Sequence, residues 1–281
     1  DTMIYMRRLP GALAWSSDAA DTAKGIYNFC QTIFNLPCSL ITPITISIIP
    51  TVTAALTKNN VAGARHTEES AVRTMSLIAM PCAVGLAVLS EPIIRLLARN
   101  YGPESVATAA PILAYLGIAV IFNSTVLLFN AIMQAHGDVT TPVVNMLIGG
   151  IVKVVVNYIL VAIPSLNIIG AAIGTIVCYV TITVLDLIAM RRTVTTHPAV
   201  ARNLIRPTAA AAIMGAATFF AEAVLRRVTN SNTIICLGAL VIAVIVYAIF
   251  VLVLQCITYE DCLLLPKGEK IAKILHIKHK T

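Results

Sequence analysis

Charge is what this sequence has least of. Only 12% of its 281 residues are Asp, Glu, Lys or Arg, about half the share of a soluble domain. Aromatic side chains make up 6%, with a single Trp. So little charge excludes a disordered chain and an ordinary water-soluble core alike. Chemistry-bearing patterns are scarce too. The seven cysteines form no CxxC pair and have no His at ligand spacing, so they read as small apolar packing groups. There is no phosphate-cradling glycine loop and no Ser/His/Asp set. His66, His136, His197, His276 and His279 fall in expected loops or in the tail. No enzyme activity, cofactor or metal is therefore expected.

What is there is oil. Apolar residues make up 58% of the chain, and the mean hydropathy is +0.87. The expected fold class is an all-α integral membrane protein, a polytopic helical bundle of about seven transmembrane helices. Apolar runs place the spans near 25–56, 71–97, 106–133, 142–163, 168–190, 207–225 and 233–257. Pro207 and Pro142 sit where a first helical position would suit them. The net charge of +7 is explained by loop topology, and no nucleic-acid partner is expected. One set of alternate loops holds Lys58, Arg65, Arg73, Arg191, Arg192, Arg202, Arg206 and the tail lysines. The other holds Arg7, Arg8, Lys24, Arg95, Arg99, Arg226 and Arg227. The richer set, and with it the C-terminus, is expected in the cytoplasm.

The first span organises the rest. It carries Pro37, Pro43 and Pro50, and its first half carries Asn28, Gln31 and Asn35. Each proline removes a backbone donor and frees a carbonyl. Lipid cannot satisfy those groups, so the span reads as one wall of a polar path, with the prolines as hinges. Asn28, Gln31 and Asn35 recur at spacings of three and four and share one helical face. That face either lines a cavity or bonds to another helix.

Lys153 is the other strong signal. It lies midway along the fourth span, and Asn157 is one turn on along the same face. A lysine at that depth costs roughly 2.5–3.5 kcal/mol to insert, so it faces protein or water. Two readings stand: a cation for an anionic substrate, or a buried lysine bonded to freed carbonyls. Arg7 and Arg8 are interface anchors or, as a pair, phosphate holders. Asn123 and Asn130 are packing glue or lining. Gly170 and Gly174 form a close-packing pair. Asp186 is expected to meet Arg191 and Arg192, and Glu222 to pair with Arg226. The tail has Ile271, Ile274 and Leu275 opposite Lys270 and Lys273, which suits anionic inner-leaflet lipids.

The segments MRRLP, GIYNFCQTIFNLPCSLITPITISIIPTVTAAL, TPVVNMLIGGIVKVVVNYILV, NIIGAAIGTIVCYV and LLLPKGEKIAKIL occur in that order. Together they resemble the stage V sporulation protein B group of the multidrug/oligosaccharidyl-lipid/polysaccharide (MOP) flippase superfamily. That resemblance implies two six-helix lobes with an appended pair, and alternating access for a lipid-linked oligosaccharide. It makes this chain a C-terminal portion whose partner, the N-terminal lobe, is missing. DTMIYMRRLP has no initiator Met and no signal-peptide pattern, which fits that expectation.

The implied division is 1–24, a truncated helix end and extracytoplasmic loop; 25–200, a transport lobe of five spans; 201–258, an appended pair; and 259–281, a cytoplasmic basic tail. The implied setting is a bacterial plasma membrane. In lipid II flippases of this superfamily a basic cavity binds pyrophosphate, with one arginine early in the helix matching the first span. Here Gln31 and Thr32 stand near that position. The implied cations are Arg7, Arg8 and Lys153, with Asn28, Gln31, Asn35 and Asn157 along the path. Two rival functions share the pattern: a cation-coupled multidrug exporter, and a non-transporting scaffold for wall synthesis. The exporter needs a mid-membrane acid, and none is evident in the sequence.

Overall fold

In lipid an interrupted helix leaves more backbone groups unsatisfied than a proline-bearing one that carries on. The computed structural model, which describes residues 17–256, shows that outcome in α1, Ser17–Thr57. The helix is continuous through Pro37, Pro43 and Pro50. Hydroxyl groups crowd the same stretch and bond back to the preceding turn. Ser39 Oγ donates to the Leu36 carbonyl at 2.7 Å, Thr42 Oγ1 to Cys38 at 3.0 Å, and Ser47 Oγ to Ile44 at 2.7 Å. Such bonds loosen and bend a helix without ending it. The helix opens at Ser17, eight residues before the apolar run, where Ser17 and Asp18 suit a helix start.

Seven helices among the described residues are long and apolar enough to cross a membrane. After α1 come α2 (Val61–Val88), the short α3 (Ser90–Leu97), α4 (Pro103–Ala135), α5 (Thr140–Leu160), α6 (Ile169–Thr193), α7 (Val200–Val228) and α8 (Asn232–Val253). The span count expected from the sequence holds, and the ends differ.

Residues 61–70 are polar and were expected as loop, yet they form the first turns of α2. Asn60 starts them, its side-chain oxygen accepting from the Gly63 N–H at 2.9 Å. The expected second span divides at Leu89, and Pro92 sits in the first turn of α3, where a missing N–H costs nothing. The sixth span begins at Val200, so Pro207 lies inside α7 and not at its start. The extra turns are held from outside: Glu69 Oε1 accepts from the Ala199 N–H at 3.0 Å.

α4 is the hub. It packs against α1, α2, α3 and α6, and its Ile112, Leu113, Leu116, Val120, Leu128, Phe129 and Ile132 are fully buried. α7 and α8 pack on each other, and α7 lies along α2. α5 leans on α6; its outer face exposes Leu147, Ile151, Val154, Val155 and Ile159, a surface suited to lipid.

The α5–α6 contact is a zipper with a four-residue step on both helices. Asn145 Nδ2 donates to Asp186 Oδ1 at 2.8 Å. One turn on, Gly149 lies against Ile182 and Cys178. Lys153 follows one turn on, half-buried, then Asn157 packs on Gly174 and Leu160 packs on Gly170. The Gly170/Gly174 pair is thus the packing face it was expected to be. Asp186 is fully buried against Asn145 and does not turn to Arg191 and Arg192. A leucine at 174 would drive into Asn157. Gly174→Leu is expected to separate α5 from α6 and lower the melting temperature of the purified protein, whereas Gly25→Leu, in open space on α1, should not.

Candidate functional site

The polar stripe of α1 is where the structure departs most from a lipid-facing helix. Asn28 and Asn35 are exposed and Gln31 is half-buried. The opposite side of the helix is core, with Tyr27, Cys30, Phe34 and Ile41 buried. Tyr27 shares a hydrogen bond with Thr175 on α6 at 3.1 Å, and Phe34 stacks on Tyr179 with ring centroids 6.3 Å apart. These contacts fix the rotation of α1, and rotation alone turns the three carboxamides outward. Thr32, Asn35 and Ser39 continue the exposed stripe at helical spacing. The Thr32 and Ser39 hydroxyls are taken by the backbone of the previous turn. The carboxamides of Asn28, Gln31 and Asn35 make no hydrogen bond with any described residue. Pro43 and Pro50 are exposed near the same face, and Pro37 is buried.

The second predicted set lies elsewhere. Lys153 is half-buried in the α5–α6 seam, and Asn157 is fully buried there. Asn157 therefore does not border an open path among the described residues; it fills the gap left by Gly174. Lys153 is also nearer one end of its helix than the sequence suggested, about 10 Å before Leu160. α1 packs mainly on α2 and α4, and α5 on α6, so the two sets sit on helices whose nearest common neighbour is α6, which Tyr27 and Phe34 reach from α1. Arg7, Arg8 and the tail residues lie outside the described residues. Asn123 proves to be glue, donating to Cys38 Sγ at 3.0 Å, and Asn130 donates to Met146 Sδ at 3.6 Å.

Sequence reading missed one cluster altogether. Glu68 on α2 is fully buried, and its Oε1 lies 2.8 Å from His136 Nε2. Its Oε2 accepts from the Thr196 hydroxyl. His136 follows α4 and Thr196 precedes α7, so one carboxyl group ties two junctions to α2 at one end of the bundle. At the other end, Glu222 pairs with Arg226 as expected, and Arg226 extends to Glu91, which also holds Arg95. No local pattern marks the Glu68 cluster, whose partners lie far apart in the chain; in the other network only the Arg226–Glu91 link is remote, the rest being pairs one turn apart.

The described fold can be set beside known proteins. The family model described as "Lipid II flippase MurJ" matches residues 12–240. This chain belongs to that family. The lipid II flippase MurJ of Bacillus subtilis (strain 168) is 27% identical over 170 residues, which cover 58% of this chain and 30% of the relative. A probable lipid II flippase MurJ from Rickettsia prowazekii (strain Madrid E) is 27% identical over 164 residues, 57% of this chain and 32% of the relative. Stage V sporulation protein B of Bacillus subtilis is 24% identical over 157 residues, 56% of this chain and 29% of the relative. The MurJ-family chain thus spans under a third of the length of the curated relatives it matches.

Among solved structures, the inward closed conformation of lipid II flippase MurJ superposes with a TM-score of 0.66 at 17% identity, covering 81% of this chain and 46% of that one. An inward-facing MATE family transporter of the MOP superfamily gives 0.54 at 14% identity, covering 90% and 62%. The membership and the shared fold bear out the MOP-superfamily resemblance and the all-α membrane class. The protein is a multi-pass membrane protein.

Proposed function

We propose that this chain is the C-terminal part of a flippase that moves a polyprenyl-pyrophosphate-linked saccharide, a peptidoglycan precursor, across a bacterial plasma membrane by alternating access. The observation that carries the proposal is the stripe of exposed carboxamides on α1. A buried face would have paired them and a lipid-facing one would have excluded them. The stripe suits a wet path shared with an N-terminal lobe, and the names of the relatives supply the substrate class. Sporulation is the process suggested by the stage V relative.

In this reading Asn28, Gln31 and Asn35 line the path, and Lys153, with Arg7 and Arg8, draws the pyrophosphate. Asn157 holds Lys153 in place by fixing α5 on α6. Pro37, Pro43 and Pro50 let α1 bend as access alternates. The C-terminus is cytoplasmic, and the protein is a transporter without catalytic chemistry.

Flux of a fluorescent lipid-linked saccharide in vesicles holding the full-length protein tests this. Asn28→Ala with Asn35→Ala, and separately Lys153→Gln, should each cut flux about tenfold or more, the order expected from losing one or two contacts of about 1.4 kcal/mol. Full flux in both variants would remove the site from the mechanism.

One observation favours a second reading. Asp186 is a fully buried acid inside a membrane span, which gives a cation-coupled multidrug exporter the acid it needs. Uptake of a cationic dye driven by an ion gradient, lost in Asp186→Asn, separates the two.

A further inference from the structure

The end of α6 and the start of α7 enclose a surface pocket of ≈ 570 Å³. Arg191, His197 and Arg202 supply its polar wall, and Leu187, Met190 and Val200 its apolar one. No carboxylate of the described residues lines it. Glu69 reaches the start of α7, but its Oε1 already accepts from Arg65 Nε at 2.9 Å and from the Ala199 N–H at 3.0 Å. Arg191 and Arg202 are exposed and make no ion pair or hydrogen bond among the described residues. Two guanidinium groups that open into one pocket without a counter-charge call for an anion with several acceptor oxygens, and phosphate fits their forked geometry.

The apolar wall decides what carries that phosphate. Leu187 belongs both to the pocket and to an exposed strip on α6. Along that strip Val184, Leu187 and Ile188 are 49%, 41% and 50% exposed. α6 is long and apolar enough to cross a membrane, so an exposed apolar strip along it suits hydrocarbon, and the pocket lies at the end of α6 beside that strip. A free phosphate would use the arginines and leave the strip idle. We propose that this pocket binds the phosphate headgroup of an anionic membrane lipid, with an acyl chain lying along Val184, Leu187 and Ile188. It lies on other helices than the α1 stripe, and it does not depend on what the protein transports.

Arg192 provides the control. It is exposed like its neighbour but does not line the pocket, so Arg192→Gln removes the same charge from the same surface. Native mass spectrometry of the intact purified protein, titrated with phosphatidylglycerol and with phosphatidylcholine, reads the site directly. Near an anionic surface each basic side chain is worth about fivefold in affinity. Arg191→Gln with Arg202→Gln should weaken phosphatidylglycerol binding about 20-fold, Arg192→Gln less than twofold, and phosphatidylcholine should bind weakly throughout. Leu187→Asn should weaken phosphatidylglycerol while leaving any binding of inorganic pyrophosphate unchanged. Equal losses in Arg192→Gln and the double variant would reduce the effect to general surface charge and overturn the proposal. So would competition by inorganic pyrophosphate as strong as that by the lipid.

Discussion

Glu68→Ala is expected to lower the melting temperature of the purified protein by on the order of 10 °C. The side chain is fully buried and its two oxygens serve two partners, His136 and Thr196. Removing it leaves an imidazole and a hydroxyl in a site closed to water. Each orphaned buried group costs roughly 1–3 kcal/mol, so the pair amounts to about 2–6 kcal/mol. At about 2–4 °C per kcal/mol for a chain of this size, the shift is large. Glu68→Gln keeps one acceptor and should fall between the wild type and alanine.

Glu69→Ala is the matched control. Its side chain is 22% exposed and open to water, so losing its pair with Arg65 costs less than about 1 kcal/mol. Losing its bond to the Ala199 N–H leaves a donor that water can reach, a smaller total than at Glu68. The buried cysteines Cys30, Cys38 and Cys178 make a thiol-reactive dye a convenient reporter of unfolding. Equal shifts for Glu68→Ala and Glu69→Ala would mean that the buried cluster carries no special share of the stability.

Gly117→Val should do comparable damage by a different route. Gly117 lies where α4 crosses α2. A Cβ there would stand 2.9 Å from the Ala87 nitrogen and 3.0 Å from both the Ala83 carbonyl oxygen and the Leu86 Cβ. Backbone atoms cannot swing aside as a flexible side chain can, so the helices themselves must part. Overpacking of this kind costs about 1–3 kcal/mol for a single methyl, and valine adds two more carbons. Gly117→Ala should therefore destabilise and Gly117→Val should do so severely, both visible in the same dye assay. Gly150 on α5 has nothing within 4 Å of a Cβ. Gly150→Ala should be neutral or stabilising by up to about 1 kcal/mol, since alanine favours helix. If Gly117→Ala behaved like Gly150→Ala, the α2–α4 crossing would not be the tight contact described.

The seven spans were legible because apolar length is a property of single segments, and so was the shared face of Asn28, Gln31 and Asn35. The ends of the helices were not. Residues 61–70 look like loop until Asn60 caps them, and Pro207 looks like a helix start until Glu69 is seen holding Ala199. Both corrections come from partners outside the segment. The α5–α6 zipper was half legible. Lys153 with Asn157, and Gly170 with Gly174, each emerged as a face, but nothing in the sequence said that these faces meet. For the same reason Asp186 was assigned to the nearby arginines when Asn145, on the preceding helix, holds it. The Glu68, His136 and Thr196 cluster joins two junctions to a helix that is remote from both in sequence, and carries no local signature at all.

The length of α1 has a mechanical consequence. Its 41 residues make a rod of about 61 Å, twice the thickness of the hydrocarbon core. Pro43 divides it into unequal arms, and the longer arm, back to Ser17, measures about 39 Å. A rotation of 10° at that point carries the far end through about 7 Å, while the packed neighbourhood of Pro43 scarcely shifts. If Pro43 acts as the proposed hinge, the helix is geared: a small angular change at the fulcrum becomes a displacement as wide as a sugar ring at the tip.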